Sequence, residues 1–208
     1  MCPFRHLWNL VFHKDRHVLI PREIAPDEEC IRCVMPSKMK GGIVRQDAFL
    51  PFEYDCGSSV LRLRYTTLDF CVNYGKALDK DKHQLGALLK FSQNDVEQVN
   101  AWAQTDASKV KNEDTGEERI NGTSAKLKYT PMDGDDYVDP DKRYYTDSCI
   151  SKPMHADLTF AEPMEKGYVR TRMRHYNNEL IKLCKKAFMN KTNDELGEWT
   201  DVNKSPQN

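Results

Sequence analysis

Two cysteines, Cys30 and Cys33, have a spacing that is typical of zinc sites and of redox sites. Two thiolates at this spacing can occupy two corners of a tetrahedral zinc site. The other ligands would come from the N-terminal segment, which holds Cys2, His6, His13 and His17. A structural zinc ion is one hypothesis, and two unmetallated thiols are the simpler one, because no second cysteine pair lies nearby. Redox chemistry is disfavoured, since Val34 and Pro36 follow the pair instead of a clear helix.

A second candidate site is a basic set at the start of the last predicted helix. It comprises Arg170, Arg172, Arg174 and His175. Arginine forks bind phosphate or carboxylate, and the unpaired N–H groups at a helix start also attract anions. Arg62 and Arg64 would join this set if their strand lay beside the last strand. The simpler interpretation is a solvated basic surface that pairs with Glu162, Glu165 and Glu179.

His155 and Asp157 form a third candidate, a pair suited to general base catalysis. They lie two residues apart on a predicted strand, so their side chains point to the same face. The competing interpretation is a hydrogen-bonded surface histidine at a strand end. The sequence holds no G-x-S-x-G elbow, no phosphate-cradling glycine loop and no H-E-x-x-H pattern. The acidic loop at 133–141 departs from the order of a calcium-binding EF-hand, and we interpret it as an exposed turn.

The elements that must position these residues begin with a strand at 60–65. Apolar residues alternate there with Arg62 and Arg64, which is the period of a half-buried strand. Thr66 or Thr67 can cap the helix that follows, because its apolar residues keep helical spacing. The pattern therefore predicts a strand that leads directly into a helix.

Two further strand-then-helix units are predicted, at 86–103 and at 157–188. In the first, Ser92 and Asp95 resemble a weak capping box. In the second, a long helix over 170–190 carries a continuous apolar stripe. This alternation of strands and helices predicts an α+β arrangement in which the long helix packs on a sheet.

Three other segments carry weaker signals. The apolar spacing at 4–12 predicts a short helix that docks on the core or on a partner. Prolines and glycines punctuate 21–59, which we predict to be irregular. Asn121 and Gly122 tolerate the positive φ angles of a type I′ turn, so they predict a tight hairpin.

Composition limits the class of protein. The chain has 208 residues, and 31 basic against 32 acidic residues give a net charge of -1. General nucleic-acid or membrane-surface binding is disfavoured, because both need a basic excess. No apolar run approaches the roughly 18 residues of a membrane helix. The N-terminus lacks a signal-peptide core, so we expect reduced thiols and a cytoplasmic location.

We therefore predict a single α+β domain over 1–190 with a mixed sheet, a hairpin near 121–122 and a C-terminal helix packed on the sheet. A flexible tail would follow at 191–208. The predicted function is binding another protein, as an accessory subunit or inhibitor of a larger bacterial or viral machine. One alternative is a small enzyme that acts on a phosphate-containing substrate, a nucleotide or nucleic acid, with His155 and Asp157 as the acid–base pair and the helix arginines holding the phosphates. Another is a zinc-stabilised nucleic-acid-binding protein.

Overall fold

The computed structural model describes residues 20–51, 57–79, 82–112, 115–131, 154–161, 168–190, 192 and 194–201. The predicted N-terminal helix at 4–12, the zinc ligands proposed from that segment and the acidic loop at 133–141 lie outside these residues. Helices and strands are both present, and the predicted α+β class is confirmed. In the described part of the chain, no helix combines the length and apolar character that crossing a membrane requires.

Seven of the described strands form one large sheet. Its strands are β1 (Cys30–Val34), β4 (Gly57–Arg62), β5 (Ala87–Phe91), β8 (Ala125–Tyr129), β9 (His155–Phe160), β10 (Lys185–Phe188) and β11 (Thr200–Asp201). Their spatial order is β11-β10-β5-β1-β4-β9-β8. Two small hairpins lie outside this sheet: β2 (Met39–Lys40) with β3 (Ile43–Val44), and β6 (Val110–Lys111) with β7 (Glu118–Arg119).

Neighbouring strands in the large sheet are antiparallel at every pairing among the described residues. The prediction of a mixed sheet is therefore wrong. Strand-then-helix connections usually join strands that run parallel. Here β4 and β5 do run parallel, but β1 lies between them and is antiparallel to both. The predicted connection from β4 through a helix to β5 therefore exists, although the two strands it joins are not neighbours in the sheet.

Among the described residues, three helices cover the sheet: α1 (Leu68–Leu78), α2 (Gln93–Ala103) and α3 (Tyr168–Leu183). Thr67 caps α1 by accepting a hydrogen bond from the backbone N–H of Phe70. Ser92 and Asp95 form a reciprocal capping box at the start of α2, as the sequence predicted. Both helices therefore begin where local side chains satisfy their first N–H groups.

The helices divide the core between the two faces of the sheet. On one face α1 packs over β1, in a cluster that includes Ile31, Cys33, Leu61, Phe70 and Tyr74. On the opposite face α2 and α3 pack together, in a larger cluster that includes Leu89, Val96, Leu158, Met173 and Leu180. The sheet is thus the middle of three layers.

The central strand β1 lies inside the segment at 21–59 that we predicted to be irregular. Four of its five residues are buried, with Ile31 facing α1 and Val34 facing α2 and α3. A strand buried on both faces has no apolar–polar alternation, so the period of a half-buried strand is absent from its sequence. The irregular assignment is therefore wrong for this strand.

The end of the chain also differs from the prediction. Helix α3 ends at Leu183, and β10 follows and pairs with β5. The apolar residues of β10 fit either a helical stripe or a short strand, and pairing with the sheet decides between them. Beyond residue 190, where we predicted a flexible tail, β11 pairs with β10 through Thr200 and Lys186.

Asn121 and Gly122 do not form the predicted β-hairpin. The strand before them, β7, pairs with β6, and the strand after them, β8, pairs with β9. Gly122 nevertheless has a positive φ of 66°, the conformation that favours glycine. Its N–H donates to the carbonyl of Ala103 at 2.9 Å, and the Asn121 side chain donates to the carbonyl of Arg172 at 3.0 Å. These hydrogen bonds therefore hold the connection between β7 and β8 against α2 and α3.

Candidate anion-binding groove

The loop at 45–50 lies on the side of the sheet that α2 and α3 cover. Its apolar residues Ala48, Phe49 and Leu50 are buried in the core of that face. Phe49 packs edge-to-face on Phe91 of β5, with ring centroids 5.2 Å apart. The polar residues at 45–47 therefore directly precede three residues that are held in the core.

Arg32 of β1 holds this loop to the sheet. Its Nε donates to the carbonyl oxygen of Ala48 at 3.1 Å, and its NH1 donates to the carbonyl oxygen of Ser59 at 2.7 Å. Burial lowers the pKa of Arg32 from its usual value, although arginine stays protonated at neutral pH. One guanidinium thus connects β1, β4 and the loop.

A groove of about 360 Å³ separates the loop from helix α3. The described residues that line it are all polar or charged: Arg45, Gln46 and Asp47 on the loop side, and Arg174 and Asn178 on the helix side. Arginine guanidinium groups and side-chain amides are donors that suit an anion. Two arginines from distant parts of the chain therefore line one site.

Asp47 is the carboxylate in this lining, and cations already surround it. Its Oδ2 lies 3.3 Å from Nζ of Lys38 and 3.4 Å from NH2 of Arg45. Among the described residues, Arg45 and Arg174 line the groove with one carboxylate, and Lys38 pairs with that carboxylate from beside it. This local positive excess favours binding of a negatively charged group.

Several buried polar atoms of Asp47 and of the neighbouring turns of α3 have no hydrogen-bond partner among the residues that the structure describes. They are Oδ1 of Asp47, Nε of Arg170 and both amide atoms of Asn177, a residue that is 0% exposed. Arg170 and Asn177 lie one turn to either side of Arg174, on the same side of α3. Buried polar groups in folded proteins nearly always have a partner, so these atoms are expected to pair with water or with groups outside the described residues.

The predicted basic set of α3 is split between two flanks of the helix. Arg174 faces the groove, whereas Arg172 donates from NH1 to the carbonyl of Asn121 at 3.2 Å. His175 packs edge-to-face on Trp102 of α2, with ring centroids 5.2 Å apart. The helix therefore directs Arg174 to the groove and Arg172 and His175 to contacts within the fold, while Arg170 does not line the groove.

Arg62 and Arg64 lie away from this groove. Arg62 is 0% exposed, and its NH2 donates to Oε2 of Glu28 at 2.8 Å. Its other donors bind Glu28 and the carbonyls of Pro21 and Glu23. The strand that we predicted to run to residue 65 ends at Arg62. Arg64 therefore lies on the 3-10 turn that follows, where it is exposed. The strand arginines therefore do not join the helix arginines, and Arg62 is committed to an internal ion pair.

His155 and Asp157 do lie on one face of β9, as their spacing predicted. Nδ1 of His155 lies 2.7 Å from the carbonyl oxygen of Thr130, and Thr130 Oγ1 donates to Oδ2 of Asp157 at 2.8 Å. Nε2 of His155 is 3.9 Å from Oδ1 of Asp157, which exceeds hydrogen-bond distance. Thr130 thus links the pair, and general base catalysis by it stays a prediction.

The His155–Asp157 pair and the groove lie on opposite faces of the sheet. Asp157 is registered with Ser59 and His155 with Leu61, which belongs to the cluster under α1. Arg174 belongs to α3, which packs on the other face. The single active site that would combine this pair with the helix arginines is therefore not formed.

Cys30 and Cys33 also point to opposite faces, because residues three apart on a strand alternate. Cys30 packs in the core under α2 and α3, and Cys33 packs in the core under α1. Burial raises the pKa of each thiol to about 12. Among the described residues no group of three or more His, Cys, Asp or Glu is placed to hold a metal ion. The two thiols therefore do not face each other, and the zinc hypothesis, whose other ligands lie outside the described residues, stays a prediction.

The loop half of the groove was missed from the sequence. Arg45, Gln46 and Asp47 sit in a segment without periodicity, and no sequence pattern links them to α3. The available signal was the local charge pattern, in which Lys38, Arg45 and Asp47 are close in the chain. Comparisons of this chain with family models, with curated proteins and with solved structures each found no match.

Proposed function

We propose that this protein is a binding protein, an accessory or inhibitory subunit, that holds an anionic group of a partner protein in the groove between the 45–50 loop and α3. The observation that carries this proposal is the convergence of Arg45 and Arg174 on one polar groove. Charged groups that face a common site from separate elements recognise an opposite charge and fix its orientation.

Both sides of the groove rest on rigid elements. Met173 and Leu180 bury the apolar side of α3 in the core, and Phe49 does the same for the loop. Arg32 adds two hydrogen bonds that hold the loop to the sheet. In a preorganised site, binding loses little conformational entropy, because the side chains are already ordered. This arrangement favours a binding role for the groove over a merely solvated surface.

The lining also favours a charged group over an extended apolar ligand. Small-molecule pockets are mostly apolar and aromatic, with a few polar groups that orient the ligand. In the part of the groove that the structure describes, the five lining side chains are all polar or charged. The groove is thus suited to a charged side chain that a partner inserts while the rest of the partner covers the surrounding surface.

The test is to purify the tagged full-length chain from its native cells as wild type, Arg45→Ala, Arg174→Ala and Arg64→Ala. Arg64 is an exposed arginine outside the groove and serves as the matched control. Loss of a charge-assisted contact should weaken binding by about 1–3 kcal/mol. We expect one stoichiometric partner to be lost from both groove variants, and at high salt, and to be retained by Arg64→Ala. Equal retention by a double Arg45→Glu, Arg174→Glu variant with an unchanged melting temperature would contradict the proposal.

A further inference from the structure

We infer that the partner presents an acidic segment with an aliphatic side chain among its carboxylates, and that this segment lies across the β2–β3 hairpin with one carboxylate in the groove. The inference deepens the proposed function and rests on it. It depends on one side of the hairpin, which we call the hairpin face and which comprises Lys38, Lys40, Ile43 and Arg45.

The other side of the hairpin holds it on the core. Met39 is registered with Val44, and both side chains pack against the cluster under α2 and α3. The turn consists of Gly41 and Gly42, which have positive φ angles of 57° and 77°, as a two-residue type I′ turn requires. Core packing and turn geometry therefore fix the position of the hairpin face.

The hairpin face carries one apolar residue among three cations. Lys40 is registered with Ile43. Lys38 and Arg45 are also opposite each other, because the N–H of Arg45 donates to the carbonyl oxygen of Lys38 at 2.9 Å. Side chains alternate along a strand, so Ile43 and Arg45 lie on the side away from the buried Val44. Residues that face each other across two strands share a side, which brings the two lysines to the same surface.

The exposure of Ile43 indicates an apolar contact with the partner. Ile43 is 69% exposed, the largest value for a large apolar side chain among the described residues. A threonine, which is also β-branched, would suit this strand position without exposing as much apolar area to water. Single exposed apolar residues are common, but this one directly neighbours the cations of a candidate binding site. An aliphatic side chain of the partner that packs on Ile43 would remove this apolar area from water.

The charges around Ile43 indicate a segment with several carboxylates. The hairpin face adds Lys38 and Lys40 to the two arginines of the groove, Arg45 and Arg174, against the one carboxylate of Asp47. Four cations and one carboxylate leave an excess of three positive charges among these described residues, in a chain whose net charge is -1. Because Arg45 belongs to both surfaces, the positive region is continuous from the hairpin to the groove. A single anion would pair only with the groove, whereas an acidic segment matches the whole region.

Two other kinds of anionic surface fit less well. Single-stranded nucleic acids stack their bases on aromatic side chains, and no aromatic residue belongs to the hairpin face or to the described lining of the groove. Peripheral membrane binding depends on helices that bury a broad apolar face, whereas this surface offers one isoleucine. An acidic protein segment needs only one apolar contact beside its charges.

The first experiment selects ligands without assuming their sequence. A phage-displayed library of random short peptides is panned on the full wild-type chain and on Ile43→Thr, which keeps β-branching and should keep the melting temperature. We expect wild type to enrich peptides in which an aliphatic residue lies among aspartates and glutamates. Ile43→Thr should lose the aliphatic preference and keep the acidic one. Enriched peptides that lack acids or lack the aliphatic residue would overturn the inference, and so would the absence of any enrichment.

Titration of one enriched peptide, in blocked synthetic form, tests the contact itself. Changing its aliphatic residue to serine should weaken binding to wild type about tenfold, and Ile43→Thr should weaken binding of the unchanged peptide by a similar factor. If the two side chains touch, both changes together should cost about tenfold and not about a hundredfold. Leu78→Thr, at an exposed position on α1 and on the opposite face of the sheet, is the matched control and should bind like wild type. Fully additive losses would overturn the inference.

Oligothymidylate and phosphatidylserine vesicles are titrated as competing polyanions. If either one binds more tightly than the peptide, and if Lys40→Ala weakens that binding, the assignment to a protein segment is overturned. Capture of the native partner then separates this inference from the proposed function, and we expect both Ile43→Thr and Arg174→Ala to lose the partner. If Ile43→Thr retains it while Arg174→Ala loses it, the inference is wrong and the proposed function stands. If both variants retain it, both are wrong.

Discussion

Arg32 on the central strand donates its Nε to the carbonyl oxygen of Ala48, at 3.1 Å, and thereby ties the loop of the candidate groove to the sheet. The same guanidinium donates to the carbonyl of Ser59 at 2.7 Å. A residue that does not line the groove therefore holds one of its walls.

We expect Arg32→Lys to loosen the 45–50 loop while keeping the positive charge. Lysine cannot reproduce the two directed bonds, and the loss of charge-assisted hydrogen bonds should cost about 1.5–3 kcal/mol of unfolding free energy. Hydrogen exchange should accelerate at residues 48–50 more than in α2. Arg64→Lys, at an exposed position, is the control. Unchanged exchange in the loop would show that Arg32 does not hold it.

The buried ion pair between Arg62 and Glu28 predicts strongly coupled mutations. Arg62→Met leaves the carboxylate of Glu28 buried without its partner, which should cost about 3–5 kcal/mol in urea unfolding. Removing both charges, as Arg62→Met with Glu28→Leu, should recover much of that loss. Costs that simply add in the double variant would contradict this account.

Asn100 on α2 should protect the edge strand β8. Its side chain accepts from the N–H of Ala125 at 2.9 Å, donates to the carbonyl of Ala125 at 2.8 Å and accepts from the Tyr176 hydroxyl at 2.8 Å. Asn100→Leu removes the partner of both Ala125 backbone groups, whereas the Tyr176 hydroxyl keeps its bond to the carbonyl of Val96 at 3.2 Å. We expect a loss of about 2–4 kcal/mol in unfolding free energy. It also exposes backbone groups of an edge, so self-association should rise in light scattering.

The control for this prediction is Gln98→Leu, an exposed position on the same helix that likewise replaces an amide side chain with leucine. Adding Gln93→Ala to Asn100→Leu should increase self-association further, because Gln93 accepts the N–H of Leu127 at 2.9 Å. A monomeric double variant would rule out this role for the two amides.

The buried thiols predict a pH dependence of stability. Burial raises the pKa of Cys30 and Cys33 from an ordinary value of 9.0 to about 12. A group whose pKa is higher in the folded state stabilises the fold below the unfolded pKa, and this contribution is lost as pH rises toward the folded pKa. The free energy of unfolding should therefore decline between pH 9 and 12. Conversion of Cys30 and Cys33 to serine should flatten that decline.

Thiol labelling gives an independent measurement of the same burial. At pH 8 an alkylating reagent should modify Cys30 and Cys33 far more slowly in native protein than in urea, because the thiolate is scarce and shielded. Rapid labelling of the native protein would contradict both the burial and the raised pKa values.

Local sequence signals predicted the starts of two helices correctly. The Thr67 cap and the capping box of Ser92 and Asp95 depend on residues at most three positions apart, so neighbouring side chains suffice to define them. The shared face of His155 and Asp157 was predicted for the same reason, because strand period alone determines it.

The failures share one physical cause, which is that pairing with distant residues decides the outcome. The central strand β1 is buried on both faces, so it has no period of its own and becomes a strand through β4 and β5. The sheet also places Cys30 and Cys33 on opposite faces. The last helix ends at Leu183 because the residues after it pair with β5 as β10. Tertiary packing also divides the basic residues of α3, sending Arg172 to Asn121 and Arg174 to the groove.

The sequence by itself determined the α+β class, the helix caps and the near-neutral charge, because these follow from composition and from spacing along the chain. Only the tertiary structure decided the candidate site. Arg45 lies in a segment without periodicity, and it meets Arg174 because Phe49 and Arg32 fasten the loop to the sheet on which α3 packs. A site built by long-range packing has no signature in local residue order, since its geometry exists only after the core has formed.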